Sequence, residues 1–219
     1  MDTTLKRLLN SPKLGLYLQR LEKAWAREQA KRQQFYRDMQ ENDKVEFING
    51  EIIVRSPVKT RHNDCGLRLL RLLSVHVQRH DLSFVGYEKI LISLTRNDYE
   101  PDICFFGREK ALTLSPEQMF FPAPDFVAEV LSPSTEEHDR GVKFEDYAAH
   151  GVREYWLIDP DKTILEQYAL TSLEAGGYEL LQKTTSGIVT SVAVKGFEIP
   201  VRALFDDAEN LQALESLFA

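Results

Sequence analysis

PDFVAEVLSPSTEEHDRGVKFEDYAAHGVREY, residues 124–155, decides how the chain is read. Phe126 to Leu131 is an apolar run of strand length, broken only by Glu129. Ser132-Pro133-Ser134-Thr135 ends that strand, and a polar helix is expected behind it. On the helix Asp139, Lys143 and Tyr147 stand at i, i+4 and i+8, so they share one face. A second apolar strand follows at Glu154–Ile158, closed by Asp159-Pro160. Strand, helix and strand in this order form a crossover unit. A carboxylate buried in a strand costs several kcal/mol unless it is paired or bound to a metal, so Glu129 needs a partner.

Upstream of this unit, VEFINGEIIVR (45–55) reads as two short strands around Asn49-Gly50, the dipeptide best suited to a type I′ hairpin turn. Glu46 lies on the first of them, where a surface acid would be ordinary. The leucine-rich segment from about Arg61 to Arg79 has the broad apolar face of a helix packed on a sheet. His62 stands at its start, where capping or a surface role is the commoner reading. Ser83 to Leu94 alternates as one strand with an irregularity at Gly86. Glu100-Pro101-Asp102 opens another. A proline cannot donate to a sheet ladder, so Asp102 belongs at the end of the sheet near a rim, where a turn-capping Asp is the ordinary alternative.

The flanks carry less information. Residues 1–43 read as a helical arm, with Ser11-Pro12 as start signal for a helix running to about Gln40. Its apolar positions Leu14, Leu18, Leu21, Trp25, Phe35 and Met39 follow a heptad seam, but Glu28 and Arg32 interrupt it and Gly15 weakens its start. Such a helix either lies on its own domain or forms a homodimer. From Thr163 to Ile199, short strands separated by Gly176-Gly177, Ser186-Gly187 and Gly196 suggest an antiparallel extension, and Arg202 to Phe218 suggests short amphipathic helices. The expected organisation is an arm, residues 1–43, and one domain, residues 44–219, of mixed α/β class.

Composition bounds the function classes. With 219 residues, 43% hydrophobic and 28% charged, the chain has the balance of a globular protein. No apolar run approaches the roughly 18 residues of a membrane span, and no apolar signal core opens the sequence, so a cytoplasmic protein without membrane contact is expected. Cys65 and Cys104 are far apart and read as reduced thiols rather than a disulfide or a zinc site. The net charge is −7 and unevenly spread: ten Lys or Arg against six Asp or Glu through residue 45 give +4, leaving −11 for the rest. That balance argues against a protein that coats nucleic acid, yet clustered acids also suit a metal site.

Glu46, Asp102 and Glu129 with Lys143 form a set that no member makes alone. Mg²⁺ takes one or two carboxylates and completes its shell with water and substrate phosphate, so two strand-borne acids are enough to build a site. A nearby ammonium would support an attacking water or a charged phosphoryl transition state.

The order hairpin, helix, strand with Pro101-Asp102, strand with Glu129-Val130-Leu131, then helix resembles the PD-(D/E)xK nuclease superfamily and its restriction-endonuclease-like fold. Leu131 departs from that pattern, because the superfamily's catalytic lysine belongs there. The match is closer to the Uma-type restriction endonuclease family, whose pattern resembles Glu46-Phe47-Ile48-Asn49-Gly50-Glu51, Ser56-Pro57, His62, Pro101-Asp102, Glu129 to Thr135, Asp139, Lys143, Tyr147 and Gly151-Val152-Arg153-Glu154-Tyr155-Trp156. It covers roughly residues 44–170. The resemblance implies an endonuclease hydrolysing DNA phosphodiesters with a Mg²⁺-activated water, Mn²⁺ being a substitute. It also implies Asp102, Glu129 and the Val130 carbonyl as metal ligands, with Lys143 on the helix replacing the missing strand lysine. Glu46, His62, Asp139 and Tyr147 would support them, the last two by orienting Lys143. The alternative is a non-catalytic DNA-binding or oligomeric module on the same fold, since a fold can outlive its activity. Glycoside hydrolysis by paired carboxylates leaves the lysine unexplained and finds no aromatic sugar platform.

Overall fold

Asn49 and Gly50 both have positive φ, 51° and 85°, the geometry a type I′ turn requires, and they join β1 (Val45–Ile48) to β2 (Glu51–Val54) as an antiparallel hairpin. The structure, a computed structural model, describes residues 3–40, 44–172 and 177–218. Two consequences of those bounds touch the sequence reading. The arm–domain boundary after residue 43 falls beside residues 41–43, and Gly176 of the expected Gly176-Gly177 turn lies outside the described residues, as do its neighbours 173–175.

Two helices precede the hairpin, α1 (Thr3–Leu9) and α2 (Leu14–Asp38). After it, α3 (Thr60–Arg79) forms as expected and carries a buried face of Cys65, Leu69, Leu72, Leu73 and Val77. The single strand expected over Ser83–Leu94 is instead two, β3 (Ser83–Tyr87) and β4 (Leu91–Ser93), which join different sheets. Glu88 turns the chain between them with φ 47°. Gly86 is no irregularity, since it pairs in register with Cys104. It is glycine because a Cβ there would lie 2.6 Å from the Cys104 sulfur.

Next come β5 (Asp98–Tyr99), β6 (Ile103–Gly107), α4 (Arg108–Ala111), β7 (Phe120–Phe121) and β8 (Phe126–Val130). The expected single helix behind β8 is broken at Gly141 into α5 (Glu136–Arg140) and α6 (Val142–Ala149), yet Asp139, Lys143 and Tyr147 are all buried. A Cβ on Gly141 would meet the Glu137 carbonyl at 2.8 Å, so the break and the glycine go together. Strand β9 (Glu154–Asp159) then runs parallel to β8, completing the crossover unit. Strands β10 (Ile164–Ser172) and β11 (Gly177–Thr184) extend the sheet antiparallel, and β12 (Ile188–Thr190), β13 (Glu198–Pro200) and α7 (Asp207–Ser216) close the described chain.

The larger sheet has the order β11-β10-β9-β8-β6-β3, and the smaller one β2-β1-β5-β4-β7. Strand alternation divides the core. Phe126, Ala128 and Val130 join Ile103, Phe105 and the α3 leucines on one side, whereas Val127 and Leu131 join Cys104, Tyr147 and Tyr155 on the other. Glu129 alternates with the second set, so it shares its face with α6.

The arm is explained by its polar interruptions. Arg32 is buried and forks onto Asp98, with Nε and Nη2 each 2.7 Å from a carboxylate oxygen, and it also donates to the carbonyls of Leu94, Thr95 and Asn97. Glu28 accepts from Arg96 at 2.7 Å and 2.9 Å. The two positions that break the heptad seam thus help dock α2 on its own domain, together with Phe35, buried against Phe47 and Leu91, whereas Leu14, Leu18, Leu21 and Trp25 stay exposed.

Candidate active site

Lys143 Nζ sits among three carboxylates: Glu129 Oε1 at 2.7 Å, Glu46 Oε1 at 3.0 Å and Asp139 Oδ1 at 3.0 Å. The four side chains come from β8, β1, α5 and α6, and each is at most 3% exposed. Strand parity aims Glu129 at α6, the spacing of four residues puts Asp139 beside Lys143, and the hairpin supplies Glu46. Arg55, just past β2, adds a second cation with Nη2 2.5 Å from Glu46 Oε2.

These charges set one another's protonation. Burial alone would push Lys143 down, but Asp139, Glu129 and Glu46 together hold its ammonium well above the ordinary lysine value. Burial would likewise raise Glu46, and Lys143 and Arg55 overcome it to keep that carboxyl ionised. Glu129 goes the other way. Burial, then the charges of Asp139, Asp102 and Glu46, push it well above the usual carboxylate range despite Lys143.

Asp102 stands just ahead of β6, at the rim the preceding proline implies. Its Oδ2 accepts the Val130 amide hydrogen at 2.8 Å and lies 3.4 Å from His62 Nε2, while its own N–H lies 3.3 Å from Glu129 Oε2. Burial opposes ionisation of Asp102, but His62, the Val130 amide and Lys44 hold its carboxyl below the ordinary value. Glu129 and Asp102 are thus bound to each other's strands and both face a cleft of about 260 Å³. Lys44, Arg55, His62, Glu100 and Ser132–Thr135 also line it.

The structure brings Glu46, His62, Asp102, Glu129, Val130, Asp139 and Lys143 into one locality, and it separates two of the expected roles. Tyr147 does not orient Lys143: its buried hydroxyl has no hydrogen-bond partner among the described residues, and its ring packs on Tyr99 and Tyr155. It is the Tyr99 ring that lies beneath Lys143, with Nζ 5.9 Å from its centroid. Lys143 itself lies behind Glu129, fully buried, and is not part of the cleft lining. An ammonium has three N–H donors, and three carboxylate oxygens surround this one.

Three cleft residues escaped the sequence reading. Lys44 and Arg55 flank the hairpin at its open end, where Arg55 N–H donates to the Lys44 carbonyl at 2.9 Å. Glu100 is buried, its N–H donates to Glu46 at 3.0 Å, and its Oε2 has no hydrogen-bond partner among the described residues. Burial and the Glu46 charge push its carboxyl up to about 7. Hairpin geometry gave a signal for Lys44 and Arg55, because a two-residue turn puts 44 and 55 side by side. Glu100 gave none beyond its position next to Pro101.

No group of three or more His, Cys, Asp or Glu side chains among the described residues is arranged to hold a metal. A divalent cation nonetheless fits the donor set. Asp102 and Glu129 offer hard oxygen donors at an open rim, the number Mg²⁺ takes when water and phosphate complete its shell. Burial, and then Asp139, Asp102 and Glu46, push the Glu129 carboxyl up, and the buried Glu100 Oε2 has no hydrogen-bond partner among the described residues.

The sequence matches Uma2, a family described as "Putative restriction endonuclease", over residues 28–202. The chain belongs to the Uma2 family. Two curated proteins of Synechocystis sp. (strain ATCC 27184 / PCC 6803 / Kazusa) are similar to this Uma2 chain. Uncharacterized protein sll1609 is 33% identical over 134 residues, covering 60% of this chain and 75% of that one. Uncharacterized protein slr1290 is 30% identical over 134 residues, covering 58% and 67%. A crystal structure described as a putative nuclease belonging to DUF820, from Anabaena variabilis ATCC 29413, shares the fold with a TM-score of 0.66 at 19% identity, over 78% of this chain and 94% of that one. The family match makes this a nuclease-family protein, and the shared fold has the mixed α/β architecture expected from the resemblance over roughly residues 44–170. Among the described residues no helix is long and apolar enough to cross a membrane.

Proposed function

We propose that this Uma2 protein is a Mg²⁺-dependent endonuclease that hydrolyses DNA phosphodiesters in the cleft between α3 and the Ser132–Thr135 loop. The observation that carries the reading is the pairing of Asp102 and Glu129 across β6 and β8: two carboxylates at one rim, each hydrogen-bonded to the other's strand. Asp102, Glu129 and the Val130 carbonyl would hold the cation, with Mn²⁺ as a substitute. When bound, the ion supplies Lewis acidity toward a water nucleophile and toward the scissile phosphate.

The chain's own residues do the rest. The Val130 amide and His62 fix the Asp102 carboxylate in its ionised form. Lys143 acts as a positioning residue, holding Glu129 and Glu46 in place and offsetting their charge, with Asp139 fixing the ammonium from α5. Arg55 keeps Glu46 ionised from the opposite side. The hydroxyls of Ser132, Ser134 and Thr135, 3.1 Å apart in a small network, give the cleft wall donors for a phosphate backbone. Residues 1–43 are proposed as an arm docked on the body, residues 44–219, in a cytoplasmic protein. The exposed seam of α2 is the element by which two copies would associate to cut both strands.

Cleavage of supercoiled plasmid tests the reading. The wild-type chain should nick or linearise it with Mg²⁺ and not with chelator, and Asp102→Asn and Glu129→Gln should each lower the rate at least 100-fold while circular dichroism stays native. A non-catalytic module would leave the plasmid intact and bind no Mg²⁺.

A further inference from the structure

Lys143 is close to the acids, but it is buried behind Glu129 and outside the cleft lining, out of a substrate's reach. Three carboxylate oxygens lie 2.7–3.0 Å from its nitrogen, of which Glu129 Oε1 accepts a hydrogen bond, and its side chain is 0% exposed. Some other group must meet the phosphate if the cleft is to hold one, because a phosphodiester brought to Asp102 and Glu129 adds further negative charge to a site already rich in it.

The remaining cations that line the cleft are Lys44, Arg55, Lys59, Arg61 and His62, and they differ in their commitments. Lys59, the residue before α3, is exposed and makes no ion pair with Asp102 or Glu129 among the described residues. Arg55 is held by Glu46 at 2.5 Å and is nearly buried. Arg61, at the outer rim, is paired with Asp161 at 2.6 Å. His62 is engaged with Asp102. Lys44 is different: its ammonium lies 4.0 Å from Asp102 Oδ1 and 3.8 Å from Glu88 Oε2, ion-pair distances too long for hydrogen bonds, and its side chain is 23% exposed. Its backbone, by contrast, is fixed, since its carbonyl accepts from Arg55 at the base of the hairpin. A long side chain on a rigid anchor, held loosely beside Asp102, can turn its three donors to an incoming anion without breaking a close contact.

We infer that Lys44 is the phosphodiester-binding residue of the cleft, contacting a non-bridging oxygen of a phosphate that enters the cleft beside Asp102 and Glu129. It forms no covalent bond and transfers no proton; it supplies one positive charge where charge accumulates on the phosphoryl oxygens. The inference rests on the nuclease reading for its catalytic consequence, but not for the phosphate contact itself, and the two can be separated.

The experiment uses the full chain and its Lys44→Ala, Lys44→Met and Lys44→Arg variants, the second of which keeps the aliphatic stem should the first fail to fold. Affinity for a fluorescent DNA duplex is read by anisotropy in chelator between about 50 and 200 mM salt, a range in which each phosphate contact contributes roughly 0.9 to the logarithmic slope. Single-turnover cleavage and calorimetric Mg²⁺ affinity are read in parallel. Lys44→Ala and Lys44→Met should lower the salt slope by about one and slow cleavage at least 100-fold with Mg²⁺ affinity within about threefold, and Lys44→Arg should recover most of both. An unchanged slope with unchanged cleavage overturns the inference, as does a change confined to Mg²⁺ affinity, which would make Lys44 a modulator of Asp102 only. A wild-type chain that binds DNA without cutting it, and whose slope still falls on losing Lys44, keeps the phosphate contact and refutes the nuclease reading. Neither binding nor cleavage of the duplex by the wild-type chain refutes both.

Discussion

Glu129 Oε1 lies 2.7 Å from the Lys143 ammonium, an acid in the middle of an apolar strand answered by a lysine fourteen residues later on the helix that crosses behind it. That contact makes the strand acid tolerable, and it ties the crossover helix to the candidate metal rim. Lys143 is in turn held by Glu46 and Asp139, so the site is a buried charge network that meets the cleft at Glu129, Asp102 and Arg55.

Removing Lys143 should therefore be costly. Lys143→Met leaves three buried carboxylates facing one another, and breaking a buried ion pair from one side costs about 3–5 kcal/mol. Urea unfolding should show a loss of that size at pH 8 and a smaller one at pH 5, where the acids can take up protons. A loss that does not depend on pH would show that the network is not electrostatic in origin.

The site also sets a slope of stability with pH. Glu100, raised to about 7, and Glu129, raised further above the carboxylate range, bind protons more tightly in the folded chain than in the unfolded one. Their contribution is thus fully present below the unfolded value near 4.5 and is lost as pH rises through the folded one. Wild-type stability should fall between about pH 5 and 7, and Glu100→Gln should flatten the curve by about 1–3 kcal/mol over that interval. An identical slope in the variant would show that the Glu100 carboxyl is not raised.

Gly86 tests the sheet independently of any chemistry. A methyl group there would lie 2.6 Å from Cys104 Sγ and 2.9 Å from Ile90 Cγ1, so Gly86→Ala should destabilise the chain by about 1–3 kcal/mol. Its denaturant slope should be unchanged. Pairing the substitution with Cys104→Ala should recover part of the loss, because the sulfur is the nearest obstacle.

The arm gives a fourth test. Arg32 is the group that answers the buried Asp98 carboxylate across the α2 interface. Arg32→Met should cost about 3–5 kcal/mol and release the C-terminal half of α2, read as faster amide exchange over residues 28–38. Asp98→Asn in the same chain should recover much of the loss.

What the sequence made legible follows strong local rules. The Asn49-Gly50 hairpin, the α3 helix, the β8–β9 crossover and the antiparallel β10–β11 pair rest on turn chemistry or periodicity and formed as read, whereas β12 and β13, expected in the same extension, pair with each other in a sheet of their own. The convergence of Glu46, Asp102, Glu129 and Lys143 was legible through the family pattern rather than through spacing, because β1, β6, β8 and α6 meet only in three dimensions. The misreadings have the same origin. Leu91–Ser93 continues the alternation of Ser83–Tyr87, so nothing in the pattern announced a change of sheet at Glu88. Arg32 looked like a flaw in a heptad because its partner, Asp98, is sixty-six residues away. Lys44 and Glu100 sit in ordinary polar surroundings in the sequence and become cleft residues only once the hairpin and the Pro101 strand are brought together.

The central claim is that Asp102 and Glu129 hold a divalent cation at the mouth of this network. A crystal soaked in Mn²⁺ and measured at the manganese absorption edge tests it most directly. The account predicts one anomalous peak in the cleft, within about 2.0–2.3 Å of a carboxylate oxygen of each residue, absent from Asp102→Asn crystals. No peak there, or a peak bound by other side chains, would contradict it.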